Sequence, residues 1–250
     1  MLTVYQALAQ PHGWPVAVDA PAAFWAALAA DRAGPCFLPP TRGTVYGTLL
    51  NHADALAAIG DQVNAAPYKA PPRAPVLYIK PRNTLAGHRE PVVVPEGVAE
   101  VEIGATLGVV IGTTACRVAE AEALSFVAGY TVVNDISVPH ASYYRPSLRF
   151  KCRDGFCPIG PAVVARKMVS DPISLTVAVD GKTVHRSRID RLVRPVAQLL
   201  ADVTEFMTLR PGDVLMVGVA AGAPRARAGQ RVTITINGVG VLETPLVAEA

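Results

Sequence analysis

Apolar and polar residues alternate most regularly in the last third of the chain. In "ISLTVAVDGKTVHRSRI" the apolar residues Ile173, Leu175, Val177 and Val179 recur every second position until Asp180-Gly181 interrupts them. A period of two broken by Asp-Gly predicts a β-hairpin with one buried face. A second hairpin is predicted around Asn237-Gly238 in "RVTITINGVGVLETPL". Between the two the period changes. Val196, Leu199, Leu200, Val203, Phe206 and Met207 fall at helical spacing, with Pro195 at the start and Pro211-Gly212 past the end. That spacing predicts an amphipathic helix.

Upstream, the pattern predicts a strand over 45–50 followed by a turn of helix, and another over 76–79 running into Lys80-Pro81. Residues 101–112 read as a buried strand interrupted by two glycines. "RVAEAEALSFVAGYTVVND" reads as a helix closed by Gly129, then a strand that ends on Asn134 and Asp135. The proline-rich "PYKAPPRAP" reads as an ordered loop. Residues 1–43 read as an N-terminal appendage: a helix over 21–31, with Asp19 as its cap and Gly34 as its end, and then the linker "GPCFLPPTRG". The main domain is expected over 44–250. Strands outnumber helices and adjoin through hairpins, so the predicted class is α+β and not a doubly wound α/β sheet.

Composition narrows the partners. Of 250 residues, 51% are apolar and 17% charged, which permits a large core. The net charge is +3 and the basic residues are dispersed. Such a distribution argues against nucleic acid and suits an anionic small molecule. No apolar run approaches the roughly 18 residues of a membrane span. The N-terminus lacks the basic start and apolar stretch of a signal peptide. Four cysteines and five histidines, all scattered, suggest neither a disulfide framework nor a structural zinc site. Cys152 and Cys157, in "CRDGFC", are too far apart for a redox pair and read as core residues. The expected compartment is the reducing cytoplasm.

Six segments in fixed order, "LLNHADAL", "YIKPRNTLAGH", "LGVVIG", "FVAGYTVVNDIS", "YYRPSLRFKCRDGFCPIGP" and "LRPGDVLMVG", resemble the fumarylacetoacetate hydrolase superfamily from about Gly43 to the C-terminus. "PYKAPP", "CRDGFCPIGP" and Gly104-Ala105-Thr106 narrow the resemblance. They are closest to the N-terminal half of the homoprotocatechuate (4-hydroxyphenylacetate) pathway isomerase/decarboxylases. The resemblance implies a mixed β-sandwich or roll and usually a dimer. It also implies action on 5-oxopent-3-ene-1,2,5-tricarboxylate or 2-hydroxy-hepta-2,4-dienedioate through a dienolate.

The same resemblance marks what is missing. Active members hold Mg²⁺ or Mn²⁺ with two strand glutamates, two residues apart, and one aspartate. Matched without gaps on Leu107–Gly112, the glutamate positions fall on Gly104 and Thr106, and of the three ligands Asp135 alone persists. No metal cofactor is therefore expected. Glu100 and Glu102 share the strand face but stand four residues early, roughly 13 Å along a strand, and read as a solvated strand end. Ala55 occupies the place of the hydrolases' histidine, and the nearby His52 reads as a turn residue. Pro139 stands where an arginine is common, and Gly218-Val219-Ala220 replaces the carboxylate-binding Gly-Thr-Pro. With no base to activate water, hydrolysis is not expected. The resemblance leaves Lys151, Asp135 and Lys80 as the expected catalytic group, with Arg145 and Tyr144 of "YYRP" binding substrate. Arg153 and Asp154 are expected to pair with each other. A homodimer is expected of the chain alone, and a heteromer with a metal-bearing homologous subunit where one exists. The alternative to an enzyme is a metal-free, non-catalytic partner of that subunit.

Overall fold

Two β-sheets form the body of the computed structural model, which describes residues 2–4, 16–18, 21–30, 36–66, 69–140 and 148–249. The hairpins form as predicted. Ser174–Val179 and Lys182–Arg188 are joined by Asp180 and Gly181, both at positive φ (50° and 81°), the conformation of a two-residue hairpin turn. With Arg231–Ile236, Gly240–Ala248 and Val92–Val94 they make a five-stranded sheet in the order 182–188, 174–179, 231–236, 240–248, 92–94. The predicted amphipathic helix runs over Val196–Phe206, and Leu199, Leu200 and Val203 are buried.

The larger sheet has eight strands, in the order 16–18, 2–4, 162–165, 127–134, 105–111, 214–216, 45–49, 76–80. It is mixed: Val214–Met216 runs parallel to Val45–Leu49, whereas the other pairs are antiparallel. All seven residues of Ala105–Ile111 are buried. Leu107, Val109 and Val132 pack with Leu175, Val177, Ile234 and Leu242 of the other sheet. Val110, Val133 and Val214 pack on the opposite side with Cys157 and Ile159. The α+β class stands, as a mixed two-sheet structure with few helices.

Three local expectations change. Gly129 does not close a helix; it lies inside the strand Val127–Asn134, paired with Val110 on one side and Ala165 on the other. The β-branched Val127, Thr131, Val132 and Val133 favour that extended pairing, and the preceding Glu120–Phe126 is a 3₁₀ helix. Residues 101–112 split into Val101–Glu102 and Ala105–Ile111, with the break at Ile103-Gly104. Near the N-terminus, where the pattern predicts no strand, Leu2–Val4 and Val16–Val18 extend the eight-stranded sheet at its edge. The helix Pro21–Ala30 forms as expected, and its Phe24, Trp25 and Leu28 pack with Phe37, Ala162 and Val164. Asp19 and Gly34 lie outside the described residues.

Candidate active site

The ends of two strands of the larger sheet and one short helix converge on a single carboxylate. Asp135 follows directly on the strand Val127–Asn134 and is 2% exposed. The edge strand Val76–Lys80 turns alternate residues to one side, so Tyr78 and Lys80 face Asp135 while Ile79 is 51% exposed. The helix Leu148–Lys151 brings Lys151 at its last residue. The three residues expected to act together, Lys151, Asp135 and Lys80, are thus brought together.

Lys80 Nζ lies 2.9 Å from Asp135 Oδ1 and Lys151 Nζ lies 2.9 Å from Oδ2. Lys80 is fully buried and donates to the carbonyls of Ile136 and Lys151 (3.1 and 2.6 Å). Its contact with Oδ1 is an ion pair set off the hydrogen-bond axis, since Oδ1 accepts no hydrogen bond. Lys151 does donate to Oδ2, and the Tyr78 hydroxyl donates to the same oxygen in a short bond. The Lys151 ammonium also stands 4.9 Å from the centre of the Tyr78 ring, within cation–π range. Gly47, directly across the sheet from Tyr78, makes room for that ring: a Cβ there would lie 2.0 Å from it.

Electrostatics fix the protonation states. Burial alone would raise the Asp135 carboxyl, but Lys151, then Lys80, and the hydrogen bonds from Tyr78 and Lys151 override it. They hold the group well below the usual carboxylate range. Burial, and then the charge of Asp135, push the Tyr78 phenol well above its ordinary value. Asp135 is therefore a fixed anion and Tyr78 a fixed donor.

These groups form the wall of a cavity of about 1080 Å³. Much of its remaining lining is apolar, including Leu77, Ile79, Leu148 and Val219-Ala220-Ala221. Ala55, in the place of the hydrolases' histidine, also lines it, so that wall carries a methyl group instead of an imidazole. His52 is not a turn residue at the surface but is 1% exposed, with Nε2 3.0 Å from the Arg188 carbonyl. Glu102 corrects the expectation of a solvated strand end. The bridge between Glu102 and Ser137 holds it half-buried in the cavity wall, while Glu100 is exposed. Cys152 likewise lines the cavity instead of the core, whereas Cys157 is fully buried. Arg153 and Asp154 do not pair with each other: Arg153 donates to the Arg149 carbonyl and Asp154 accepts from Asn83. Arg145 and Tyr144 lie outside the described residues.

The donors present do not fit a divalent cation. Asp135 is already neutralised by two ammonium groups, which would repel a metal ion. Thr106 Oγ1 is turned to the Gly218 carbonyl (2.7 Å) and buried. Gly104 leaves no space for a side chain, since a Cβ would meet the Asp135 carbonyl oxygen at 2.3 Å. Among the described residues, no three His, Cys, Asp or Glu side chains cluster as metal ligands. Nor is any helix among them long and apolar enough to cross a membrane.

Sequence reasoning missed Tyr78, His140 and Arg225 and misplaced Glu102, all of which also line the cavity. The alternation in "YIK" contained the signal for Tyr78. Glu102 and Arg225 meet as direct partners across a short antiparallel ladder, which no local pattern announces.

Comparison with known proteins shows the family and the fold. Residues 44–247 match the family model described as fumarylacetoacetate (FAA) hydrolase C-terminal. The chain is 39% identical over 208 residues to the 4-hydroxyphenylacetate degradation bifunctional isomerase/decarboxylase of Escherichia coli, covering 83% of this chain and 48% of that protein. It thus spans about half the length of that relative. Among solved structures, 5-carboxymethyl-2-hydroxymuconate delta-isomerase from Mycobacterium smegmatis aligns with a TM-score of 0.74 and 28% identity, over 96% of this chain and 87% of that one. Fumarylpyruvate hydrolase from Pseudomonas aeruginosa, solved with Mn²⁺ and pyruvate, shares the fold at a TM-score of 0.73 and 22% identity, over 99% of this chain and 96% of that one.

Proposed function

The chain belongs to the fumarylacetoacetate hydrolase family, and on that premise we propose that its cavity isomerises or decarboxylates unsaturated 2-oxo polycarboxylates without a divalent metal. The substrates we assign are 5-oxopent-3-ene-1,2,5-tricarboxylate, 2-hydroxy-hepta-2,4-dienedioate, or both, in the breakdown of 4-hydroxyphenylacetate. The naming of the half-length-matched E. coli relative and of the M. smegmatis isomerase supports that choice. Four free cysteines suit a reducing cytoplasm.

One observation carries the reading: Lys151 and Tyr78 both donate to the same oxygen of Asp135 at the cavity wall. An ammonium has three N–H donors and Lys151 directs one of them at Asp135, so it can also receive the oxygen of an enolate, whereas the single O–H of Tyr78 stays on Asp135. In decarboxylation, the carbon–carboxylate bond breaks and its electron pair moves through the enone onto the keto oxygen. In isomerisation, the enol loses its O–H proton and the same dienolate forms. A positive charge and a hydrogen bond placed where that negative charge develops stabilise both transition states. Lys80, Tyr78 and Asp135 do not touch the reacting carbons in this reading; they hold Lys151 in place. The test is an assay of the purified chain with each substrate in the presence of EDTA, following CO₂ and the absorbance of the hydroxydiene. Turnover that survives EDTA supports the proposal, and turnover only with added Mg²⁺ or Mn²⁺ refutes the metal-free part.

A second reading follows from the half-length match: the chain is a non-catalytic partner of a metal-bearing homologous subunit. The absence of turnover by the chain alone, with turnover on mixing, would favour it.

A further inference from the structure

The dienolate mechanism needs a group that moves a proton to and from carbon, and the Asp135 cluster does not provide one. We propose that His140 is this proton carrier, its Nε2 delivering a proton to C5 of the dienolate held at Lys151. The assignment rests on the function proposed above and names the residue that this function still requires.

Elimination within the cavity leaves few choices. Asp135 is a weak base, saturated by Tyr78 and the two lysines. Tyr78 gives up its proton far too reluctantly at neutral pH. Burial raises the Cys152 thiol, which keeps thiolate scarce. Lys151 is committed to Asp135 as a cation, and the guanidinium of Arg225 does not deprotonate. His140 and Glu102 remain.

Geometry separates those two. His140 Nδ1 lies 3.0 Å from the Val138 carbonyl oxygen. A carbonyl only accepts, so Nδ1 carries the hydrogen and the neutral ring presents its lone pair at Nε2. The ring stacks on Phe150, with centroids 5.3 Å apart and planes 11° from parallel. Phe150 in turn precedes Lys151, and its carbonyl accepts from Val138 N at 2.9 Å. His140 is thus held by both its hydrogen bond and its face against the segment that supplies the enolate-binding ammonium. Glu102 is placed differently: its backbone pairs with Arg225 at the Gly104 side of the cavity, and among the described residues no side-chain hydrogen bond orients its carboxylate. A proton carrier has to be oriented, and of the two only the His140 ring is held by a hydrogen bond and by stacking.

The step balances without a co-reactant. In ketonisation, the proton on Nε2 forms the C5–H bond, the C4=C5 electrons make that bond, and the C2–O⁻ electrons restore the carbonyl. The C2–C3 double bond shifts to C3=C4. Imidazolium becomes imidazole, and it regains a proton when the next enol gives up its hydroxyl hydrogen. Decarboxylation itself needs no proton on carbon, so the two reactions should part company when His140 is removed.

The experiment uses 2-oxohept-3-enedioate in D₂O, with NMR following deuterium entering C5, on the wild-type chain, His140→Gln and Glu102→Gln. Exchange should slow about 10²-fold or more in His140→Gln and change little in Glu102→Gln, with both variants melting like the wild type. With the tricarboxylate, His140→Gln should still release CO₂ but accumulate the hydroxydiene, a split that a merely structural role would not produce. His140→Ala with added imidazole should regain part of the lost exchange. Undiminished exchange in His140→Gln, or loss in Glu102→Gln instead, overturns the assignment while leaving the proposed function standing. No exchange and no turnover in the wild type overturns both.

Discussion

The backbones of Gly104 and Asp135 touch: Asp135 N donates to the Gly104 carbonyl at 2.9 Å, and a Cβ on Gly104 would lie 2.3 Å from the Asp135 carbonyl oxygen. The residue that would have to carry a metal-binding carboxylate is therefore closed against the one that would have to share the ion. The close approach at Gly104 is built into the chain path, and a side-chain replacement alone would not relieve it.

Restoring the two carboxylates should consequently not restore the site. Gly104→Glu forces the two strands apart, an overpacking that costs about 1–3 kcal/mol. Thr106→Glu adds an ion at a position that is fully buried. The double variant should melt well below the wild type and still show no stoichiometric Mg²⁺ binding by calorimetry. A tight one-to-one Mg²⁺ site in a stable double variant would show that Lys80 and Lys151 can yield to a metal.

Asp135 should matter more to stability than any other carboxylate of the site. Asp135→Ala leaves two ammonium groups facing one another with no counter-charge, and breaking a buried pair costs about 3–5 kcal/mol. Adding Lys80→Met to Asp135→Ala should recover part of that, because the stranded buried charge goes with it. Acid denaturation supplies a second reading. The folded state holds Asp135 below its unfolded value of 3.8, so its contribution is fully present above about pH 4 and is lost as pH falls below that. Chemical melts of Asp135→Asn should show a flatter limb below pH 4 than the wild type.

His88 governs a separate window. Burial, and then the Arg89 charge, push its imidazole down to about 4. The folded chain prefers the neutral ring, whereas the unfolded chain takes up a proton near pH 6.5. Stability is therefore complete above pH 6.5 and declines as pH falls towards 4, by about 3 kcal/mol at one pH unit per 1.4 kcal/mol. His88→Gln should lower the neutral plateau, since His88 Nδ1 accepts from Glu243 N (3.2 Å), and should flatten the slope between pH 6.5 and 4. A wild-type slope retained in the variant would assign that titration elsewhere.

What could be read in advance follows from range. Both hairpins and the 196–206 helix are patterns of two or three to four residues, and they stand where the alternation puts them. Asp135, Lys80 and Lys151 were legible because each sits in a recognisable segment. Tyr78 was legible in principle, two residues before Lys80 on the same face. Glu102 was misplaced because its position depends on a bridge to Ser137, a partner 35 residues along the chain. His140 was passed over because its chemistry depends on a ring stacked from Phe150. The N-terminal strands were hidden for the same reason: three residues carry no period, and Leu2–Val4, which pairs with Val16–Val18, finds its other partner in the distant Ala162–Ala165.

Lys151 should be needed for turnover and dispensable for folding. Its side chain is 12% exposed at the cavity wall, and Lys80 remains to neutralise Asp135 when it is removed. Lys151→Met should cut kcat about 10²-fold, the scale of losing one preorganised charge at a developing oxyanion, with a melting temperature near the wild type. Full activity in the folded variant would leave Lys151 as a structural counter-ion.

Partnership is the prediction with the widest reach. A chain whose metal ligands are closed off could persist because its own cavity works, or because its surface completes a homologous subunit. The second option is the partner reading proposed above. Apolar side chains do stand at the cavity: Ile79 and Leu148 are 51% and 62% exposed there. Faces of obligate pairs usually bury more than about 2,000 Å² and are apolar. We expect a homodimer from the chain purified alone, and a heteromer when it is co-expressed with a homologue that carries both metal-site glutamates. Size exclusion with light scattering reads the assembly, and substrate depletion reads the consequence. If the chain's own cavity is the active one, the homodimer turns over substrate in EDTA and the mixture adds only what the homologue contributes. If the chain is a partner, the homodimer is inert, the mixture exceeds the homologue alone, and Lys151→Met changes nothing in either. That last comparison separates the two readings even when both species elute together, because only an active cavity depends on its own lysine.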